Sequence, residues 1–276
     1  MFRIGMSSCG FEINGENLYA MKKSGIDNLE ISLKSERYPC FDYKGTRALA
    51  DKYGITLWSF HLPFLPFSEL EISTSDNALR SASVKYLCEL IKKGSDIGID
   101  KFIVHPSGEP IAKEEREERI KLSMDSLNTL AECAAACGSA VCVEDLPRTC
   151  LSSNIEDMKK LLSANEKLKV CFDVNHLLID KHTDFISAFA DKIVTTHISD
   201  YDFIDERHWL PGEGLIGWNE LYLALKESGF NGVWMYELGF DEPKTLKRTR
   251  VLTFDDFSGN AHAIFNGEKP ENFRVG

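Results

Sequence analysis

The chain reads as an α/β protein built as one (β/α)8 barrel, and three observations predict it. Short β-branched or aromatic runs recur eight times, amphipathic helical stretches lie between them, and no linker or composition break divides the 276 residues. Strands alternating with helices make βαβ units and a parallel sheet, and eight such units in roughly 250 residues suit a sheet closed on itself. A doubly wound sheet is the alternative, but it needs a glycine-rich phosphate turn after an early strand. The segment Ile4-Gly5-Met6-Ser7-Ser8-Cys9-Gly10 is not GxGxxG.

In chain order, the predicted strands are 2–7, 28–33, 55–62, 101–106, 140–146, 169–175, 192–199 and 232–238, each ending near Gly, Pro, Asp or Asn. The two longest helices are expected at 75–97, with Leu79, Tyr86, Leu87, Leu90 and Ile91 on one face, and at 114–137, with Ile120, Met124, Leu127, Leu130 and Ala134. Gly138 stands where the second should be capped. Shorter helices are expected at 16–23, 46–53, 155–162, 184–190 and 219–228. The tail after about residue 245 is read as packing on the barrel, with 254–260 as a loop interrupting a last helix. The whole of 1–276 is thus expected to be one domain.

Composition narrows the class of function. With 32 basic against 43 acidic residues the net charge is −11, which carries no electrostatic footprint for a phosphate backbone. No apolar run is long enough to span a membrane. The first residues enter a strand directly, without a charged segment followed by an apolar signal core, so the expectation is a cytoplasmic protein. Its eight cysteines form no CxxC pair and are read as reduced thiols that pack as small hydrophobes. Cys133 and Cys137 share a helix face on the same reading.

The polar residues fall in a pattern. His61, His105 and His197 end strand-like runs, His176 lies just past one, and Glu144, Asp173 and Glu237 end three more. In a barrel these positions converge on one mouth, where barrel active sites are built. Glu144 shares parity with Cys142 and Ala140, Asp173 with Cys171, and Glu237 with Met235 and Val233, so all three can point inward. Three carboxylates and four imidazoles in one small volume would repel or stay unpaired, and a divalent cation removes that cost. Carboxylate and imidazole donors without thiolate suit Mn, Co, Mg or Zn ions. His182 and His262 lie outside this pattern and are read as surface or structural residues.

The order Glu144, Asp173-x-x-His176, His197, Glu206-x-His208, Pro211-Gly212-Glu213-Gly214, Trp218 and Glu237 resembles the xylose isomerase-like barrels. That group holds sugar isomerases and epimerases, inosose dehydratases and the endonuclease IV type of abasic-site nuclease. The resemblance runs from the first strand to the last, and is most specific between His197 and Trp218.

The ketose 3-epimerase branch implies one metal ion held by Glu144, Asp173, His197 and Glu237. There the two glutamates also exchange protons with substrate carbon on opposite faces through a cis-enediolate, and His176 contacts the substrate. That branch carries an Arg just after the PGxG turn where this chain has Leu215. An isomerase, epimerase or inosose-type dehydratase acting on another sugar, polyol or sugar acid is therefore equally open. Arg148 is the candidate guanidinium for substrate.

The nuclease branch implies nine ligands for three metal ions, and candidates exist for all: His61, His105, Glu144, Asp173, His176, His197, Glu206, His208 and Glu237. Glu206 departs from that branch's Asp. Acidity and an aromatic mouth, assigned to Trp58, Phe60, Phe64, Phe67 and Trp209, favour a small carbohydrate over a duplex. Trp58, His61, His105, Glu206 and His208 join His176 and Arg148 as candidate substrate contacts. Phe64-Leu65-Pro66-Phe67 fits either a pocket wall or a contact in a homo-oligomer. A third reading, a non-catalytic sugar-binding barrel, would be favoured by loss of Glu144 or Glu237, and both are present.

Overall fold

The computed structural model describes residues 1–275. Eight strands alternate with helices: β1 (Arg3–Ser7), α1 (Gly15–Lys23), β2 (Asn28–Ile31), α2 (Tyr43–Tyr53), β3 (Thr56–His61), α3 (Asn77–Asp96), β4 (Lys101–Val104), α4 (Arg116–Ala136), β5 (Ala140–Glu144), α5 (Ile155–Leu162), β6 (Lys169–Asp173), α6 (His182–Ala188), β7 (Ile193–His197), α7 (Trp218–Glu227), β8 (Val233–Tyr236) and α8 (Phe254–Phe265). The sheet order is β7-β6-β5-β4-β3-β2-β1-β8. It closes where Ile198 donates its N–H to Met235 and accepts from Glu237 N–H, at 2.8 and 3.2 Å. Closure therefore occurs beside two of the predicted site residues, His197 and Glu237.

The helix starts are written in side chains. Asn14, Asp42, Asp76 and Asn154 each accept from backbone N–H groups of the first turn that have no partner within the helix. Gly138 follows α4 at φ +72, a left-handed turn that a Cβ would strain. The tail differs from expectation. Residues 254–260 are the opening turns of α8, because Thr253 and Asp256 close a capping box that outweighs the segment's turn-like composition. Tyr236 then packs edge to face on Phe257 and bonds Asn260 of the same helix at 2.9 Å.

Most apolar burial lies between strands and helices, while Ile103, Cys142 and Cys171 form a small separate cluster. The inward parity assigned to Cys142 and Cys171 holds, and each strand carries its carboxylate two residues further on. In β3 the period breaks. Leu29 and Glu30 pair with Leu57 and Ser59, so Trp58 is an extra residue in a bulge. Trp58 lies between the Arg3 guanidinium and the Lys101 ammonium, at 4.5 and 3.8 Å from its ring. Its indole N–H donates to Thr195 Oγ1 at 3.1 Å. Arg3 and Lys101 begin their strands, so Trp58 plugs the end of the barrel opposite the strand-end acids.

Phe60 points outward against Tyr38, Phe41, Tyr43 and Phe102, and Trp209 bonds Thr245. Of the five aromatics expected at the mouth, Phe64 and Phe67 line it. All eight cysteines are free; Cys142, Cys150 and Cys171 are buried, whereas Cys9 and Cys40 are exposed rather than packed. Among the described residues no helix is long and apolar enough to cross a membrane.

Candidate metal centre

The ends of β3, β4, β5, β6, β7 and β8 bring their polar residues to one floor beneath a cavity of about 520 Å3. Glu144, ending β5 and 1% exposed, is the hub. Its Oε1 lies 2.7 Å from His197 Nδ1, and its Oε2 lies 3.2 Å from His61 Nε2 and 3.0 Å from His105 Nε2. His197 Nδ1 is also 3.3 Å from Glu237 Oε2 and 4.0 Å from Asp173 Oδ2. One ring nitrogen thus faces three carboxylate oxygens. It can serve one of them with a hydrogen bond, and Asp173 Oδ2 is left buried with no partner.

The imidazoles are oriented from behind. His61 Nδ1 donates to Leu62 O at 2.9 Å, His176 Nδ1 to Asp145 O at 2.8 Å, and His208 Nδ1 to Glu237 O at 3.0 Å. Each thereby presents Nε2 to the site. In a neutral ring that atom is a lone pair, and for His61 and His176 it faces a carboxylate oxygen 3.2 and 3.1 Å away. Acceptor facing acceptor in a buried site calls for a cation between them, a proton in the metal-free protein or a divalent ion in its place. The ligand atoms of His61, Glu144, His197 and Glu237 lie within 4.8 Å of one another, as do those of Glu144, Asp173 and His176, and those of His176, Glu206 and His208. His61 therefore shares a group of possible metal ligands with Glu144, His197 and Glu237, where the epimerase resemblance had left it a substrate contact.

The field separates the two glutamates. Burial pushes Glu237 up to about 8; His197 opposes that, and repulsion from Glu144 and Asp173 adds to it. Burial raises Glu144 too, but His197 and His105 outweigh it and hold that carboxyl well below its usual range. Burial opposes protonation of His61, yet the hydrogen bond and charge of Glu144 carry it to about 9. Glu206, also opposed by burial, is brought to about 2 by His176 and Arg148.

Arg148 and His208 line the mouth in left-handed backbone, at φ 56 and 51, positions of strain for a residue with a Cβ. Arg148 pairs with Glu109, Asp205 and Glu206, tying three strand-to-helix loops together. The Pro211–Trp218 turn hangs on Asp200, whose carboxylate accepts from Gly212, Gly214 and Ile216 N–H and the Trp218 indole, at 2.8 to 3.1 Å. A Cβ on Gly214 would come within 2.3 Å of Asp200 Oδ1, so only glycine fits there. Leu215 is 66% exposed and does not line the cavity. His182 donates to Val174 O at 2.7 Å as a structural residue, and His262 is exposed. A second cavity of about 320 Å3, by Leu177, His182 and Phe203, carries none of the strand-end acids.

Sequence reasoning missed Glu30. Fully buried at the end of β2, it accepts from His197 Nε2 at 3.0 and 3.1 Å and from Ser59 Oγ at 2.7 Å. The signal was present: in Asn28-Leu29-Glu30-Ile31 a charged residue alternates with apolar ones in a strand that a barrel buries on both faces. Asp145 was missed as well; it is fully buried and accepts from Asp173 N–H at 2.7 Å.

The chain is 27% identical over 229 residues to the D-psicose 3-epimerase of Ruminiclostridium cellulolyticum, covering 76% of this chain and 73% of that protein. It is also 27% identical over 161 residues to a probable endonuclease 4 of Finegoldia magna, covering 52% and 56%. The solved structure of an L-ribulose 3-epimerase superposes with a TM-score of 0.75 at 20% identity, over 96% of this chain and 94% of that one, a likeness of fold. The profile of the xylose isomerase-like TIM barrel family matches residues 18–252, and the chain belongs to that family.

Proposed function

We propose that this barrel is a metal-dependent isomerase or epimerase of a small sugar or polyol, with Glu144 and Glu237 as its acid/base pair. The observation that carries this reading is that these carboxylates, at the ends of β5 and β8, both approach one His197 nitrogen, at 2.7 and 3.3 Å. Glu144, Asp173, His197 and Glu237 would hold the cation, with His61 beside them. When bound, a divalent ion polarises a carbonyl and its neighbouring hydroxyl. Glu144 takes or returns a proton at substrate carbon on one face and Glu237 on the other, so that proton removal leaves a cis-enediolate and its return on the opposite face inverts the carbon. His176, His105, His208 and Glu206 line the cavity and would bind hydroxyls, while Arg148 lines it with its guanidinium held by Glu109, Asp205 and Glu206. A relative named as a D-psicose 3-epimerase supports the substrate class. The same floor would serve a dehydratase that removes a proton beside a carbonyl.

The His176, Glu206 and His208 group favours a second reading, an abasic-site nuclease with several metal ions. Against it, the mouth's one arginine is occupied by three carboxylates and the chain carries −11, so little positive charge is left for a phosphate backbone.

The test is incubation with Mn or Co ions and a panel of ketoses, aldoses and inososes in deuterated water. Deuterium at the carbon beside the carbonyl, lost in Glu237→Gln, supports the proposal. Cleavage of an abasic-site duplex at physiological salt, with no exchange into any sugar, would overturn it.

A further inference from the structure

Among the four imidazoles whose remote nitrogen is engaged, His61, His176 and His208 are held by backbone carbonyls through Nδ1, whereas His197 is held by a carboxylate through Nε2. Glu30 lies on β2 and His197 on β7, strands separated around the barrel by β1 and β8, so the contact crosses the interior. Both Glu30 oxygens lie 3.0 to 3.1 Å from His197 Nε2, both residues are fully buried, and Ser59 donates to Glu30 Oε2 from β3. Nothing else in this contact fixes which ring nitrogen faces Glu144, Asp173 and Glu237. In the other tautomer Nδ1 would aim an N–H at their oxygens and Nε2 a lone pair at Glu30.

We infer that Glu30 is the positioning residue of the metal centre: it accepts a hydrogen bond from the Nε2–H of His197 and so keeps the proton there, leaving the Nδ1 lone pair for the cation. The inference rests on the proposal that Glu144, Asp173, His197 and Glu237 hold a divalent ion. Carboxylate partners of ligating imidazoles fix the tautomer and raise ligand basicity, and losing one weakens metal binding roughly 10- to 100-fold. A backbone carbonyl orients a ring without adding charge. Glu30 does both, at the one histidine that touches all three acids.

The experiment is titration of the full chain with Co ions, followed by calorimetry and by the visible absorption of the bound ion, for wild type, Glu30→Gln and Glu30→Leu. Circular dichroism of each metal-free protein checks the fold. The expected result is a dissociation constant raised roughly 10- to 100-fold in Glu30→Leu, with an altered Co spectrum. Partial recovery of both is expected in Glu30→Gln, which keeps an acceptor and nearly the same volume. A purely structural role would lower thermal stability in both variants and leave the affinity and spectrum of the folded fraction unchanged; that result overturns the inference. A wild type that binds Co while Glu30→Leu binds it equally well defeats the role of Glu30 alone, whereas a wild type that binds no ion defeats the metal centre with it.

Discussion

Glu144 at the end of β5 and His197 at the end of β7 meet at 2.7 Å, with Asp173 of the strand between them placing an unpartnered oxygen 4.0 Å from the same nitrogen. Three neighbouring strands thus deliver two carboxylates and an imidazole to one point. The register makes this possible: Asp173 pairs directly with His197, and Glu144 pairs with Cys171, the inward residue two before Asp173, on strands spaced roughly 4.8 Å apart.

Replacing Glu237 by Gln keeps the volume and removes the charge and the transferable proton. Turnover of an active sugar should fall roughly 100- to 10,000-fold, the usual contribution of a positioned acid or base. Metal affinity should weaken, and circular dichroism should stay as in the wild type. Unchanged turnover would end the acid/base assignment.

In metal-free protein, stability should fall as pH rises from about 6 to 9. Glu237 binds its proton up to about 8 in the fold against 4.5 for the ordinary group, so the folded state holds more protons in that window and loses the advantage on deprotonation. His61, carried from 6.5 to about 9, acts with the same sign: its stabilisation is full below 6.5 and disappears through 9. Thermal melts in chelator across this range should slope downward, and the slope should lessen in Glu237→Gln. Saturating metal should reverse the trend, because the ion displaces those protons.

Arg248 and Glu213 form a buried ion pair at 2.8 Å, 1% and 0% exposed, that ties the tail to the turn carrying Gly214. Arg248→Ala leaves a carboxylate buried alone and should cost about 3–5 kcal/mol in urea unfolding. Joint replacement by Met and Leu should recover most of it. Equal losses in the single and double variants would show that packing of the tail, rather than the lone charge, sets the cost.

Trp58→Ala tests the placement of that ring at the far end of the barrel. It should destabilise the fold by about 0.5–3 kcal/mol, as loss of a half-buried ring with its indole hydrogen bond does, while KM for an active sugar stays unchanged. A raised KM with unchanged stability would return Trp58 to the mouth.

How much of the site was legible differs by residue. Strand-end position and period-2 parity were enough to bring Glu144, Asp173, His197 and Glu237 to one mouth, because a regular strand alternates its faces. Trp58 escaped that rule because one extra residue in β3 resets the alternation, and bulges leave no local mark in the sequence; Phe60 adjoins the inward His61, so the rule itself turns it outward. Residues 254–260 escaped because a capping box outweighed turn-rich composition.

The sequence by itself determined the alternation of eight strands and helices, the acidic surface, and which residue types stand at the strand ends, since these depend on periodicity and local chemistry. Only the tertiary structure decided that Glu30 reaches His197 across the barrel, that Arg148 is spent on Glu109, Asp205 and Glu206, and that His61 meets Glu144. Those relations join residues 39 to 167 positions apart. Closure of the sheet sets such distances, and no pattern within a single strand encodes them.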